Sequence, residues 1–328
     1  MRVLVTGGAG YIGGTVANVL LNEGHEAVIY DNLCHARRDL VPARAEFIEG
    51  DIADRARLEQ IFEARAFDGV MHFAALIEAG ESMKHPEVYF RNNTASTLSL
   101  LEAMIAKKVN RLVFSSTAAV YGEPESTPIR EDAKLKPTNA YGESKLLVEQ
   151  MLTWLNQIHG LRYASLRYFN VAGAVVDASG TRGEAHEPES HLIPLVLDVA
   201  LGRRKDIKIF GQDYPTPDGS CIRDYIHVSD LAKAHLLALK TLGTREKLIY
   251  NLGNGRGFTV REVIDSVRRV TGRPIAVEEL PRRPGDPAVL VASSEKIASE
   301  LGWKPDFPNL DDIVSSAWAW HQQRFGGS

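Results

Sequence analysis

The chain has 328 residues, which at about 150 residues per domain suggests roughly two domains or lobes and allows burial of roughly 75% of the unfolded surface without disulfide or zinc staples. Lys and Arg number 38 against 42 Asp and Glu, and the formal charge of −4 argues against a general binder of nucleic acid or anionic membrane, which needs a basic surplus. Cys34 and Cys221 are the two cysteines, too few for a disulfide framework and consistent with a reducing, cytoplasmic compartment, and no apolar run reaches the ~18 residues of a membrane span.

Strand-like sequence from Arg2 leaves no room for a signal peptide. RVLVT (2–6) is short, apolar and ended by glycines, a buried strand type. Residues 11–22 then recur apolar at helical spacing, and Gly24 stops that helix. EAVIYD (26–31), EFIEGD (46–51), GVMHFAA (69–75), RLVFSS (111–116) and LRYASLRYFN (161–170) read as five further strands. Helical patterns at 54–65, 87–107 and 141–159 separate them. This alternation predicts an α/β fold, a Rossmann-type doubly wound parallel sheet, with ligands at the C-terminal ends of its strands.

The texture changes after residue 173. VVDASGTRGEAHEPESH (175–191) is polar and rich in Gly, Pro and charge, as in a surface loop or lid. A helix near 192–202, a strand at IKIF (207–210) and helices near 228–242, 259–271, 293–301 and 309–323 follow. The expected division is a dinucleotide-binding domain at 1–172 with a return near 223–252. A smaller mixed α/β substrate lobe takes 173–222 and 253–328.

VTGGAGYIGG (5–14) joins the first strand to the first helix. Gly8, Gly10 and Gly13 fit G-x-G-x-x-G, and Gly7, Gly10 and Gly13 fit G-x-x-G-x-x-G. Glycine allows the tight turn, the approach of a pyrophosphate to the backbone, and close helix–strand packing. The helix N-terminus offers N–H groups and a partial positive charge to phosphate. Asp31 ends the second strand 18 residues after Gly13. A carboxylate there accepts from ribose hydroxyls and repels a 2′-phosphate, favouring NAD over NADP. His35, Arg37 and Arg38 follow it, and an arginine could still tolerate NADP. Asp51 and Ile52 end the third strand and suit the adenine, although Asp51 could equally cap a helix over 53–65.

Tyr141 and Lys145 form Y-x-x-x-K at the start of a helix, and the i, i+4 spacing puts both on one face. A tyrosine of pKa near 10 is a poor base at neutral pH. A nearby ammonium and a cationic nicotinamide would favour phenolate, able to take a proton from a sugar hydroxyl. FSSTAAVYG (114–122) places Ser115 and Thr117 at the end of the fifth strand, where their hydroxyls can bridge substrate and phenol. The ten histidines show no H-x-x-x-H pattern, so no metal is expected. Asn92-Asn93-Thr94 matches a glycosylation sequon but falls in the cofactor region.

TGGAGYIG, HFAA, SSTAAVYG, YGESK, LRYFN and RDYIHVSDLA together resemble the extended short-chain dehydrogenase/reductase family. Within it the chain resembles the UDP-glucose (UDP-galactose) 4-epimerases, from residue 2 to about residue 323. IFGQDYPTPDGSCIRDYIHV (209–228) and PRRPGDPAVLVAS (281–293) are similar to that group's nucleotide-sugar lobe. Related 4,6-dehydratases carry an acid after the catalytic Thr. Here Ala118 and Ala119 follow Thr117, so no acid is available to expel water.

The resemblance implies that Tyr141 is the base for the 4′-hydroxyl, that Lys145 binds the nicotinamide ribose, and that Thr117 bridges the 4′-oxygen. NAD would be held by Gly7, Gly10, Tyr11, Ile12 and Gly13, by Asp31, Asn32, Asp51 and Ile52, and by Phe73, Ala74, Ala75, Asn92, Ser115 and Phe169. The UDP-sugar would be held by Asn170, His191, Leu192, Phe210, Arg223, Arg283, Asp286 and Leu290. Two arginines suit a diphosphate because the guanidinium fork is bidentate. Surface ion pairing of Arg223 and Arg283 with Asp224 and Asp286 is the structural alternative. Ile77 stands where some members have a cofactor-contacting Lys, and His35 and His191 where some have Asn. Leu290 is of intermediate size at a position that closes on the sugar, implying a preference for hexoses without an N-acetyl group.

The implied reaction is NAD-dependent interconversion of UDP-glucose and UDP-galactose. It runs by transient oxidation at C4, rotation of the 4-keto sugar and hydride return. A 4-epimerase of UDP-N-acetylhexosamine, UDP-pentose or UDP-uronate is the enzyme alternative. A non-catalytic NAD-sensing regulator is disfavoured by the presence of Thr117, Tyr141 and Lys145, and a net oxidoreductase would release NADH. A homodimer through the 87–107 and 141–159 segments is also implied, with no nucleic-acid or membrane partner.

Overall fold

The structure, a computed structural model, describes residues 1–177, 180–283 and 286–326. Ala178 and Ser179 of the expected loop at 175–191, and Pro284 and Gly285 of the 281–293 segment, lie outside the described residues. Two compact units emerge from the packing: Met1–Pro124 with Glu131–Tyr168 and Ala232–Asn251, and Glu125–Arg130 with Phe169–Leu231 and Leu252–Ser328.

In chain order the first unit begins with β1 (Arg2–Thr6), α1 (Tyr11–Asn22), β2 (Glu26–Asp31), β3 (Glu46–Glu49), α2 (Arg55–Ala64) and β4 (Gly69–His72). Short helices α3 (Ala79–Ser82) and α4 (Pro86–Tyr89) lead to α5 (Ser96–Ala106), β5 (Arg111–Thr117), α6 (Ala140–His159) and β6 (Arg162–Tyr168). Past β6 come β7 (Asn170–Ala172), the hairpin strands β8 (Val175–Asp177) and β9 (Gly180–Arg182), α7 (Leu192–Ala200), β10 (Ile207–Phe210) and β11 (Ile222–His227). The remainder is α8 (Val228–Thr241), β12 (Lys247–Leu252), β13 (Gly257–Thr259), α9 (Val260–Thr271), β14 (Val277–Leu280), β15 (Val289–Leu290), α10 (Glu295–Leu301) and α11 (Leu310–Phe325).

The sheet of the first unit has seven strands in the order β12-β6-β5-β4-β1-β2-β3. The five pairings from β3 to β6 are all parallel. Strands buried on both faces read as continuous apolar runs, and Val3, Leu4 and Val5 of β1 are fully buried. The sheet face carrying Leu4, Val28, Val70, Leu112 and Tyr163 packs on apolar residues of α2, α5 and α6, including Leu58, Leu100 and Leu152. Strand order reverses between β1 and β4, and such a reversal opens a crevice at the strand C-termini.

The second unit packs β10 parallel to β14 and groups β11 with β7, β13 and β15. Its core joins α7, α9 and α11 through Ile193, Val196, Ile264, Val267 and Ile313. Thr259 makes a full capping box with Glu262 at the start of α9.

Three expectations change. The single strand at 161–170 divides at Phe169: β6 stays in the large sheet, while β7 pairs with β11. For the same reason the chain's return to the first unit spans Ala232–Asn251 rather than 223–252, because β11 takes its partners from the second unit. The helix expected over 87–107 is interrupted by a π-helical segment, Phe90–Ala95, between α4 and α5. Among the described residues no helix is long and apolar enough to cross a membrane.

Candidate active site

The turn after β1 sits at the strand-order reversal. Gly7 adopts φ +70, and a Cβ on it would stand 2.5 Å from the Ala74 nitrogen beyond β4. A Cβ on Gly13 would lie 2.3 Å from the Gly7 carbonyl oxygen. Side chains at either position would push apart the turn, helix α1 and the β4 loop. Gly10, the N-cap of α1, makes no side-chain cap bond. The turn therefore presents backbone and a helix N-terminus, a donor set suited to phosphate.

Asp31 closes this cradle. Its two carboxylate oxygens accept N–H groups of Ala9 at 3.0 Å and Leu33 at 2.8 Å, tying the β1 turn to the β2 loop. Burial raises its pKa against those two bonds. Each oxygen keeps a lone pair for a hydroxyl donor. Leu33 takes a left-handed conformation, φ 59, in the loop that Asp31 holds. Asp51 accepts from Asn32 Nδ2 at 2.8 Å and from the Ala53 N–H at 2.8 Å, while Ile52 is buried. The cap of α2 is Asp54, which accepts from the Arg57 N–H at 2.9 Å, so the capping role allowed for Asp51 belongs three residues later. Arg37 pairs with Asp39 at 3.1 Å and Arg38 stacks over Phe47 at 3.7 Å. Both guanidiniums thus have partners of their own, Asp39 in this loop and Phe47 on β3. A glycine cradle, a helix N-terminus and a hydroxyl-accepting carboxylate fit NAD.

Beyond β4, the Phe73 N–H donates to the Thr6 carbonyl at 2.9 Å and its ring lies 4.9 Å from that of His235. Asn92 lies in the π-helical segment and donates to Asn93 Oδ1 at 2.9 Å. Asn93 in turn donates to the Leu76 carbonyl at 2.9 Å and to Ser144 Oγ at 3.1 Å. The irregular helix thus clamps the β4 loop, which carries Phe73, Ala74 and Ala75, to α6. π-helical turns occur often at functional sites because they re-aim single side chains.

Helix α6 starts where its chemistry is needed. Asn139 caps it, accepting from the Gly142 N–H at 2.8 Å, and Ser82 Oγ accepts from the Tyr141 N–H at 3.1 Å. A Cβ on Gly142 would lie 2.6 Å from the Ala119 carbonyl oxygen, so glycine lets α6 touch the 3₁₀ turn Ala118–Tyr121 that follows Thr117. That contact brings the Thr117 hydroxyl close enough to the Tyr141 phenol to lower its pKa. Lys145 is buried and its Nζ donates to the Ser115 carbonyl at 3.0 Å. Ser115 Oγ bonds the phenol of Tyr168, the residue opposite Thr117 in the β5–β6 register.

Burial dominates the electrostatics of the protein's own groups here. Burial pushes the Tyr141 phenol above its usual value, and a nearby Glu78 adds to this, while the Thr117 hydroxyl lowers it. Burial also brings Lys145 down to about 7. Among the protein's own groups, desolvation is the largest influence on both Tyr141 and Lys145. Removing a charged form from water disfavours it, which raises a phenol and lowers an ammonium.

The second unit gathers most of the residues expected for UDP. Arg223 lies opposite Leu290 in the β11–β15 register and forms an ion pair with Asp286. Its Nη1 also donates to the Ile222 carbonyl at 2.7 Å. The Arg283 guanidinium stacks 3.8 Å over the ring of Phe210, which ends β10. Asp224 does not pair with Arg223; it accepts N–H groups of Asn254, Gly255 and Ala292 at 2.7, 3.1 and 3.1 Å. Asn170 donates to the Asp224 carbonyl at 3.2 Å. His191, at the N-cap of α7 ahead of Leu192, bonds Glu189 at 2.7 Å. Phe169 belongs to this unit.

Several polar residues around the catalytic group have no place in the sequence reading: His72, Glu149, Arg167 and Tyr168. A signal existed for one pair. Arg167 is a charge inside an otherwise buried strand, and Glu149 is the next step of the Tyr141–Lys145 stripe; a buried charge requires a partner.

Comparison with known proteins bears on the family. The profile of the NAD dependent epimerase/dehydratase family matches residues 3–253. A UDP-glucose 4-epimerase of Streptomyces lividans is 55% identical over 323 residues, covering 98% of this chain and 96% of the relative. The crystal structure of a UDP-glucose 4-epimerase from Brucella ovis in complex with NAD superposes with a TM-score of 0.94 at 44% identity, covering 97% and 98% of the two chains. That of a Bifidobacterium longum UDP-glucose 4-epimerase in complex with NAD+ and UDP gives 0.93 at 38% identity, covering 100% of both. Identity at this level over nearly the whole length leaves no separate ancestry to consider, and the chain belongs to the NAD dependent epimerase/dehydratase family.

Proposed function

We propose that this protein interconverts UDP-glucose and UDP-galactose by inverting C4 of the hexose with NAD as a resident cofactor. The observation that carries the reading is Lys145, one helical turn on from Tyr141 and held at 3.0 Å on the Ser115 carbonyl two residues before Thr117, in the unit that holds the glycine cradle. The residues to hold NAD are Gly7, Gly10, Tyr11, Ile12 and Gly13 at the pyrophosphate, and Asp31 and Asn32 at the adenosine ribose. Asp51 and Ile52 take the adenine, and Phe73, Ala74, Ala75, Asn92, Ser115 and Phe169 the nicotinamide half. NAD supplies the hydride acceptor and donor for C4 and, when oxidised, a positive charge.

Tyr141 takes the proton of the 4-hydroxyl and returns it after the 4-keto sugar has turned its other face. Thr117 holds the reacting oxygen and the phenol in line. Lys145 binds the nicotinamide ribose from its fixed post on the Ser115 carbonyl. Thr117 and Lys145 are buried, which limits water at the reacting oxygen. The uridine diphosphate is held by Asn170, His191, Leu192, Phe210, Arg223, Arg283 and Asp286. Leu290 sets the room at the sugar, favouring hexoses without an N-acetyl group over UDP-N-acetylhexosamine, UDP-pentose or UDP-uronate. Arg223 would exchange Asp286 for diphosphate oxygens of higher charge.

The protein acts as a homodimer in the cytoplasm. Leu98 on α5 and Trp154 and Ile158 on α6 are exposed, the latter two one turn apart on one helix face, which supports a partner helix there. The test is to incubate the purified protein with UDP-galactose and with UDP-N-acetylgalactosamine and to separate the products. UDP-glucose should form without accumulation of NADH at 340 nm, and Tyr141→Phe should lose about a thousandfold in kcat. Stoichiometric NADH release, equal turnover of the acetylated sugar, or an active Tyr141→Phe would each reject the corresponding part of the reading.

A further inference from the structure

The catalytic stripe of α6 continues past Lys145. Tyr141, Lys145 and Glu149 are four residues apart and share one helix face. Each faces the last residues of β5: Tyr141 has Thr117 close enough to lower its pKa, Lys145 donates to the Ser115 carbonyl at 3.0 Å, and Glu149 accepts from Ser116 Oγ at 2.6 Å. Glu149 is also gripped by Arg167 of β6, whose Nε and Nη2 donate to its two oxygens at 2.9 and 2.6 Å. Glu149 is 5% exposed and Arg167 2%. The remaining Arg167 nitrogen donates to the Tyr121 phenol at 2.9 Å and to the Glu131 carbonyl at 3.3 Å. Tyr121 donates to Asn251 Oδ1 at 2.7 Å and closes the 3₁₀ turn that opens directly after Thr117.

A buried ion pair is a poor source of stability, since desolvation cancels much of its attraction and apolar side chains of equal volume often do as well. It offers direction instead. A forked guanidinium on a carboxylate tolerates little displacement, whereas apolar side chains slide. One such fork here ties α6, β5, β6 and the turn after Thr117 to one another. These are the elements that carry Tyr141, Lys145 and Thr117.

We propose that the Arg167–Glu149 pair, with Ser116 and Tyr121, is a positioning device for the reaction, fixing the register of α6 on β5 so that the Tyr141 phenol meets the Thr117 hydroxyl. Arg167, Glu149 and Tyr121 act through those two residues. The proposal rests on Tyr141 being the base and deepens that reading.

The test uses Tyr121→Phe, Glu149→Gln and the charge-free double variant Arg167→Met with Glu149→Leu. Each is measured with UDP-galactose from pH 6 to 9, beside its melting temperature. Tyr121→Phe and Glu149→Gln should lower kcat about tenfold, and the double variant about a hundredfold, the cost of a displacement near 1 Å. KM should stay within about twofold, and the pH limb of kcat that reports Tyr141 should shift. If the double variant fails to fold, the two near-isosteric single variants decide. Wild-type kcat and pH profile in both single variants would overturn the proposal, as would a loss of kcat that only follows the fraction of folded protein. A wild-type protein without turnover would refute the functional reading and this proposal with it.

Discussion

At the scale of the residue, burial decides ionisation more than neighbouring charge does. His72 is 1% exposed. Thr97 Oγ1 donates its one proton to the Asn93 carbonyl at 2.7 Å, so at 2.8 Å it can only accept from His72 Nε2. In the neutral ring His72 Nδ1 then accepts from Thr6 Oγ1 at 2.6 Å. Burial, reinforced by the charge of Lys145, lowers its pKa to about 3. A depressed histidine contributes stability that is present above the unfolded value of about 6.5 and drains away as pH falls toward the folded value. Between pH 7 and pH 5 the loss from this group should be about 2 kcal/mol, since one pKa unit is worth about 1.4 kcal/mol. Urea unfolding at the two pH values should show His72→Gln less stable at pH 7 but losing less on acidification. Equal losses in both proteins would mean that His72 is not the neutral buried group described here.

At the scale of the element, the start of α6 shows local preference yielding to contact. Glycine in a helix ordinarily costs about 1 kcal/mol relative to alanine. Gly142 nevertheless stands in the first turn, because a Cβ there would meet the Ala119 carbonyl at 2.6 Å. Relieving such overlap costs roughly 1–3 kcal/mol, which exceeds the propensity gain. Gly142→Ala should therefore lower the melting temperature and reduce kcat about tenfold or more by moving Tyr141 off Thr117. A raised melting temperature with unchanged kcat would show that the helix start has slack. The strands and long helices of the first unit were readable as elements because their buried faces repeat regularly. The π-helical segment at Phe90–Ala95 was not readable, since its extra backbone width answers to the Asn93 clamp on Leu76 and Ser144 rather than to any local repeat.

At the scale of the whole molecule, an isolated chain would leave Leu98, Trp154 and Ile158 in water. Scattered exposed apolar residues are ordinary, but an aromatic and a β-branched residue one turn apart on a long helix suit a helix–helix contact. Sedimentation of the wild-type protein should give twice the mass of one chain, and Trp154→Glu with Ile158→Glu should give monomers. A wild-type monomer at micromolar concentration would reject the dimer.

The glycine turn, Asp31 and the Tyr141–Lys145 pair were determined by the sequence alone, because each is local: one strand–turn–helix unit, or two residues a helical turn apart. The charge of −4 argued against a general polyanion binder and left room for local positive features to hold a diphosphate. Tertiary structure decided what those residues meet. Whether Arg223 faces Asp286 or Asp224, whether Lys145 stays fully charged, and which carboxylate answers Arg167 all depend on strand order and on how far water is excluded. Neither follows from spacing along the chain, because the partners lie on different elements and the energy of each pairing is set by its burial.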